Sequence, residues 1–222
     1  MNDFQKFALS KNISSSKLDS YSKHIKGYIN PVILEERELE ATAIDVFSRL
    51  MLDRQIFLGT EIDSDVANII NAQLLYLDSV SEEDITILVN SPGGVCYDGL
   101  AIIDTMNYIT PEISTICVGM AASMGAVILS CGNKGKRFAL PHSRVMIHQP
   151  LGGATGQCSD ILIEAKQIEI LKNELCGILA ENSGQPLKKV LKDCDRDNWM
   201  IAKEAKEYGL IDDIIISKKN QE

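Results

Sequence analysis

The chain has 222 residues and a mass of 24.5 kDa, with 45% apolar and 24% charged residues. That composition suits one sizeable globular domain and excludes a disordered or collagen-like chain. Its net charge of −9 gives an acidic surface that repels phosphate backbones, so nucleic-acid binding is not expected. Six cysteines, at 96, 117, 131, 158, 176 and 194, form no C-x-x-C pair. This speaks against a zinc ribbon, a thioredoxin motif or a tight disulfide scaffold, and free thiols fit a reducing cytoplasm.

In chain order, the first thirty residues are polar and rich in Ser and Lys. They carry five lysines and two aspartates, a net +3 that leaves −12 for the rest. They hold no arginine and no apolar signal core, so they read as a flexible leader. Glu38–Met51 has a helical pattern and Gln55–Leu58 (QIFL) reads as a short strand. Ser64–Val80 is helical, with Val66, Ile69, Ile70, Leu74 and Leu77 on one face. Ile85–Val89 (ITILV) is a strand that runs into the turn Asn90-Ser91-Pro92-Gly93-Gly94. Asp98–Ile109 is a helix stopped by Pro111. Ser114–Val118 is a strand and Ala122–Cys131 a short buried helix. The whole stretch Ile113–Asn133 is uncharged. Its glycines and its strand-then-helix pattern make it a buried core unit rather than a bilayer span. Arg144–His148 is a strand ending at Gln149-Pro150-Leu151-Gly152-Gly153, Ser159–Asn182 is the longest helix, and Ile211–Ile216 reads as a closing strand. Strands alternating with helices predict an α/β fold with a largely parallel sheet.

In the long helix, Ile161, Ala165, Ile168, Leu171, Leu175, Ile178 and Leu179 form one stripe, while Leu162, Ile163 and Ile170 lie off it. Burial within one domain and packing across a subunit interface are both compatible with this pattern.

The chemistry is narrowed first by what is missing. There is no phosphate loop, no G-x-G-x-x-G after a strand and no H-E-x-x-H. Of three histidines, His148 ends an apolar strand beside a glycine-rich segment; alone, such a residue is ordinarily structural. Ser123 changes that weighting. It stands at a strand-to-helix turn among Ala121, Ala122 and Gly125, where its hydroxyl is exposed and the Met124 N–H points at any oxyanion formed there. The bland reading is a serine that caps a core helix. Gly93-Gly94 follows another strand end on the same rim of a parallel sheet, so the Gly94 N–H is a second candidate donor. A triad also needs an acid; Asp193, Asp195 and Asp197 are candidates that periodicity does not separate.

At this point four motifs carry a resemblance: VNSPGG (89–94), GMAASMGAVIL (119–129), SRVMIHQPLGG (143–153) and DRDNWM (195–200). In this order and spacing they resemble the proteolytic subunits of the Clp protease family, from about residue 30 to the C-terminus. The resemblance implies an α/β, Clp-protease/crotonase-like repeated β-β-α superhelix with a protruding handle helix. It implies Ser123 as nucleophile, His148 as general base, Asp197 as acid, and Gly94 and Met124 as oxyanion donors. It places Cys96, Pro150, Leu151, Gly152 and Gly153 in substrate binding, with Gly152-Gly153 in a segment that pairs with substrate as an added strand. Cys96 stands where an aliphatic residue is usual near the S1 pocket. The favoured reading of Cys96 is a small buried hydrophobe; the sharper alternative is a thiol exposed to the cleft whose thiolate is favoured by nearby helix N-termini.

The resemblance further implies two stacked heptameric rings, joined through the long helix and through Asp195 and Arg196, with unfolded proteins delivered by a Clp ATPase of the AAA+ class. This chain would need no metal or cofactor of its own, ATP being used by the partner. Residues 1–29 would be a leader or propeptide before a single peptidase domain at 30–222, in the cytoplasm and away from membranes. Thr86 and Leu88 stand where relatives often carry aromatics on the unfoldase-docking strand. Two other readings stay open: a catalytically silent ring subunit, disfavoured because all three triad residues are present, and a crotonase-like acyl-CoA enzyme, which would not need them together.

Overall fold

The computed structural model describes Ser10, residues 32–37 and residues 40–216; the expected leader lies, apart from Ser10, outside the described residues. The first described elements correct the helical reading of Glu38–Met51. Strand β1 (Val32–Arg37) pairs antiparallel with β2 (Glu40–Asp45), Val32 opposite Asp45 and Arg37 opposite Glu40, and only α1 (Val46–Leu52) is helical. Asp45 marks the change. Its carboxylate accepts the Ser48 N–H at 3.0 Å, an N-cap that starts the helix where the strand stops.

A parallel sheet follows in the order β3 (Gln55–Leu58), β4 (Ile85–Ser91), β5 (Ile113–Ala122), β6 (Arg137–Ala139) and β9 (Asp213–Ile214). Helices α2 (Ser64–Val80), α3 (Cys96–Tyr108) and α4 (Met124–Ser130) connect successive strands, as parallel neighbours require. Strand β4 buries Ile85, Ile87 and Val89 and leaves Thr86 and Leu88 half-covered. Helix α4 is buried along its whole length, so the uncharged stretch Ile113–Asn133 is a core strand and helix. Among the described residues, no helix is long and apolar enough to cross a membrane. This is the mixed α/β architecture that the resemblance implies.

The sheet forks at β5. The register passes from Val89 opposite Cys117 to Ser91 opposite Ala121, so β5 uses residues 118–120 where β4 has only Asn90. Below this bulge Thr115–Cys117 pairs with β6; above it Met120–Ala122 pairs with β7 (Arg144–Ile147). The Asn90 side chain fills the gap by accepting the Met120 N–H at 3.2 Å, and the Ser143 hydroxyl spans the fork, accepting from Gly119 N–H at 3.2 Å and donating to Cys117 C=O at 2.8 Å. Bulges of this kind re-aim a strand, and here the strand end it re-aims carries Ser123.

Strand β7 is covered by β8 (Asn198–Ile201), antiparallel. Neither β6, β8 nor the short helices α6 (Leu187–Asp193) and α7 (Ala202–Tyr208) is foreseen in the sequence, and the closing strand is shorter than Ile211–Ile216.

Helix α5 (Cys158–Ser183) has 26 residues, about 39 Å. Its C-terminal half docks on the body through buried Leu171, Leu175, Cys176 and Leu179, while residues 158–166 are all exposed, with Leu162 and Ile163 at 65% and 68%. The helix is therefore not wholly buried in its own domain. Beneath its docked end, Arg137 donates to Asp212 through Nη2 at 2.6 Å and Nε at 2.9 Å, and to Asn182 C=O at 2.8 Å. Burial pushes the Asp212 carboxyl up, but the Arg137 guanidinium and backbone N–H groups outweigh it and hold the carboxyl below the usual aspartate range.

Candidate active site

Ser123 is the single residue between β5 and α4. Its backbone is at φ 53°, ψ −124°, a region that costs a non-glycine residue roughly 1–3 kcal/mol. The surrounding ladder enforces it: Ser123 N–H donates to Met146 C=O at 2.9 Å, tying the turn to β7. The hydroxyl caps nothing, so the capping reading of Ser123 does not hold. Instead, Oγ lies 2.8 Å from Nε2 of His148, one residue beyond the end of β7.

The β7–β8 register decides which of the three candidate carboxylates meets His148. Ile147 lies opposite Asn198, so the next residues outward, His148 and Asp197, face each other. His148 Nδ1 is 2.9 Å from Asp197 Oδ1. The other two candidates are engaged elsewhere. Asp193 accepts from Lys189 Nζ at 2.9 Å and Tyr208 O–H at 3.0 Å. The Asp195 carboxylate faces the Gln149 amide, Nε2 to Oδ1 at 3.5 Å, and the same amide donates to the Asp195 backbone C=O at 2.9 Å. Gln149, whose own N–H donates to Cys194 C=O at 2.6 Å, thus pins the acid-bearing segment to the histidine-bearing one. Neither this role nor that of Asn90 is foreseen in the sequence; the only signal was a polar residue inside each motif, Asn90 in VNSPGG and Gln149 in SRVMIHQPLGG.

The two candidate oxyanion donors are free for reasons of geometry. Ile62 bridges to Gly94 in parallel fashion, using Gly93 C=O (2.8 Å) and Val95 N–H (2.8 Å), which leaves the Gly94 N–H turned away from Ile62. Met124 is the first residue of α4, so its N–H has no intrahelical acceptor. The turns are in contact: Gly93 has φ +95°, and a Cβ there would stand 2.7 Å from Ser123 Cβ and 2.9 Å from Met124 N. Only glycine permits that approach.

Cys96 opens α3, half-buried and packed against the core. Burial raises its thiol above the ordinary range, outweighing the backbone hydrogen bond that lowers it, which favours the packing reading over a reactive thiolate. Pro150, Leu151, Gly152 and Gly153 follow Gln149 with no strand partner among the described residues, and Leu151 is 86% exposed. Asp195 and Arg196 are exposed beside Asp197. A cavity of about 600 Å³ opens between α3 and α5, lined by Tyr97, Leu100, Asp104, Glu174 and Asn182 among others, and the triad candidates lie outside it. Among the described residues, no group of three or more His, Cys, Asp or Glu could hold a metal.

A hydroxyl on a strained turn, an imidazole accepting from it, a carboxylate on the far ring nitrogen and two unpaired N–H groups beside the hydroxyl can together carry out acyl transfer at a carbonyl. Comparison with known proteins agrees with that chemistry. A model of the Clp protease family matches residues 37–218. The ATP-dependent Clp protease proteolytic subunit of Bacteroides fragilis (strain YCH46) is 58% identical over 220 residues, covering 98% of this chain and 100% of that protein. Its Bacteroides thetaiotaomicron counterpart is 57% identical over 220 residues, with 98% and 100% covered. The same subunit of Porphyromonas gingivalis is 56% identical over 217 residues, covering 97% and 98%.

Proposed function

The chain belongs to the Clp protease family, and on that premise we propose that Ser123, His148 and Asp197 hydrolyse peptide bonds as a triad. It is a serine endopeptidase of the type that forms the proteolytic subunit of an ATP-dependent Clp protease. The observation that carries the residue roles is the hydrogen-bonded chain Ser123–His148–Asp197, at 2.8 and 2.9 Å.

Ser123 Oγ attacks the scissile carbonyl carbon while His148 Nε2 takes its proton. Asp197 keeps the other ring proton on Nδ1 and stabilises the imidazolium. The carbonyl oxygen, now an oxyanion, accepts from the Gly94 and Met124 N–H groups. The C–N bond then breaks as His148 returns the proton to the leaving amine. Water, deprotonated by the same nitrogen, attacks the acyl-enzyme and frees Ser123. The unpartnered segment Pro150–Gly153 holds the peptide as an added strand, with Cys96 beside the S1 pocket. Main-chain bonds then supply affinity with little sequence preference.

The exposed aliphatics Ile161, Leu162, Ile163 and Ile170 of α5 support a contact with a second ring, and exposed Asp195 and Arg196 support a bridge between rings at the triad's edge. We assign the assembly as two stacked heptamers that receive unfolded protein from a Clp ATPase in the cytoplasm. The missing phosphate loop fits that division of labour. Residues 1–29 are a leader or propeptide and 30–222 the peptidase domain. An acyl-CoA enzyme of crotonase type would leave the three hydrogen-bonded residues without a use.

Ser123→Ala tests the assignment. Peptidase activity should fall by roughly 10⁴–10⁶-fold with assembly intact, because the hydroxyl contributes chemistry and little packing. Retained hydrolysis of short peptides would refute it.

A further inference from the structure

The added-strand role of Pro150–Gly153 raises a physical question: what holds an exposed, unpaired segment at a fixed distance from the oxyanion donors? At its start, the Gln149 N–H on Cys194 C=O (2.6 Å) anchors it. Further on, it leans on α5. A Cβ at Gly152 would stand 2.6 Å from Ile168 Cδ1, so the backbone lies directly against that side chain. The position of Ile168 therefore sets the position of the segment.

Ile168 belongs to the part of α5 that precedes its buried anchor at Leu171. Among the described residues, one side-chain hydrogen bond ties residues 158–170 to anything outside the helix: Gln167 Nε2 donates to Tyr97 Oη at 2.9 Å. Gln167 is next to Ile168. Tyr97 is the second residue of α3, three beyond Gly94. The bond thus links the first turn of α3, which directly follows the Gly94 turn, to the helix backing the substrate segment, across the cleft between them.

We propose that Tyr97 and Gln167 are positioning residues, a latch that fixes the spacing between the oxyanion donors and the substrate strand. The proposal rests on the reading that Pro150–Gly153 pairs with substrate. With the latch released, Ser123, His148 and Asp197 keep their own hydrogen bonds, because none of them runs through Tyr97 or Gln167. Peptides that need the strand lose affinity; small acylating agents that need only the triad do not.

The experiment compares Tyr97→Phe, Gln167→Leu, the double variant and Gln167→Glu, whose carboxylate can accept the Tyr97 O–H and re-form the bond in reverse. The substrates are a fluorogenic peptide and a small alkyl fluorophosphonate, with oligomeric mass recorded for each variant. Expected is a ~3–10-fold rise in peptide KM, the loss of about one net hydrogen bond, with kcat and the fluorophosphonate rate unchanged. The double variant should lose no more than either single one, and Gln167→Glu should recover most of the KM. A wild-type KM in Tyr97→Phe, or equal losses of peptide hydrolysis and fluorophosphonate acylation, overturns the latch. The strand reading is tested separately on the wild type. If backbone N-methylation of the peptide leaves KM unchanged, there is no strand pairing, and the proposal fails with its premise rather than on its own.

Discussion

Replacing Asp197 by asparagine alters the site by one heteroatom and isolates what the carboxylate does. In the wild type, Asp197 Oδ1 accepts from His148 Nδ1–H at 2.9 Å, which leaves Nε2 as an acceptor facing Ser123 Oγ at 2.8 Å. An asparagine can turn its NH₂ to Nδ1 instead. The ring proton then sits on Nε2, which donates to the hydroxyl and cannot take its proton. In other triads that error costs about 10⁴ in kcat, or about 5.4 kcal/mol at 1.36 kcal/mol per tenfold. The Asp197 side chain is 61% exposed, so water screens its direct attraction for the imidazolium, and the tautomer should account for most of the loss. Asp197→Asn should thus lose about 10⁴ in kcat for a fluorogenic peptide, with KM nearly unchanged. Its fluorophosphonate acylation should fall in parallel. Asp193→Asn, whose carboxylate faces Lys189 and Tyr208, should acylate within a few-fold of wild type. An Asp197→Asn variant within about tenfold of wild type would refute the assignment of the acid.

Ile163→Asp puts a charge on a residue that is 68% exposed in the single chain, so the subunit should fold normally while native mass measurement shows separated rings; an unchanged double ring would remove α5 from the contact. Cys96→Val should be fully active, and in the wild type iodoacetamide should modify exposed Cys158 before half-buried Cys96, whose thiolate burial disfavours; peptide mapping that finds Cys96 modified first would contradict this. Asp212→Asn should cost about 3–5 kcal/mol by leaving the Arg137 guanidinium, only 5% exposed, without its partner. Because the folded-state pKa of Asp212 lies below its unfolded value, its stabilisation is complete above the ordinary aspartate range and is lost as pH falls through the folded value. The wild type's stability advantage over Asp212→Asn in urea titrations should therefore shrink on acidification, and a constant gap down to strong acid would contradict the ion pair.

Legibility in the sequence followed the source of each element's stability. ITILV, STICV and RVMIH are rich in apolar and β-branched residues, bury alternate or successive side chains in the sheet, and each appears as a strand within a few residues of its expected place. The three-residue β6 and the seven-residue α6 and α7 are too short to show a period, and they exist because neighbouring strands and helices hold them. In Glu40–Asp45 the Ala and Glu residues favour a helix locally, but pairing with β1 overrides that preference. Ser123 and the paired glycine turns were readable because strand ends of a parallel sheet share one rim. The choice among Asp193, Asp195 and Asp197 depends on the β7–β8 register, a long-range property that residue types do not encode. The resemblance supplied Asp197, and the register gives the physical reason. For Cys96 the packing reading offered in the sequence agrees with the structure, where the residue is half-buried against the core and burial raises its thiol.

The central claim is that Ser123 is the nucleophile, activated by His148 held by Asp197. Its most direct test is covalent labelling of the assembled protein with an alkyl fluorophosphonate, followed by mass mapping of the modified peptide. One adduct per subunit is expected, on Ser123, formed in step with loss of peptidase activity and suppressed in His148→Ala and in Asp197→Asn. Labelling at another residue, or undiminished labelling of Ser123 without His148, would contradict it.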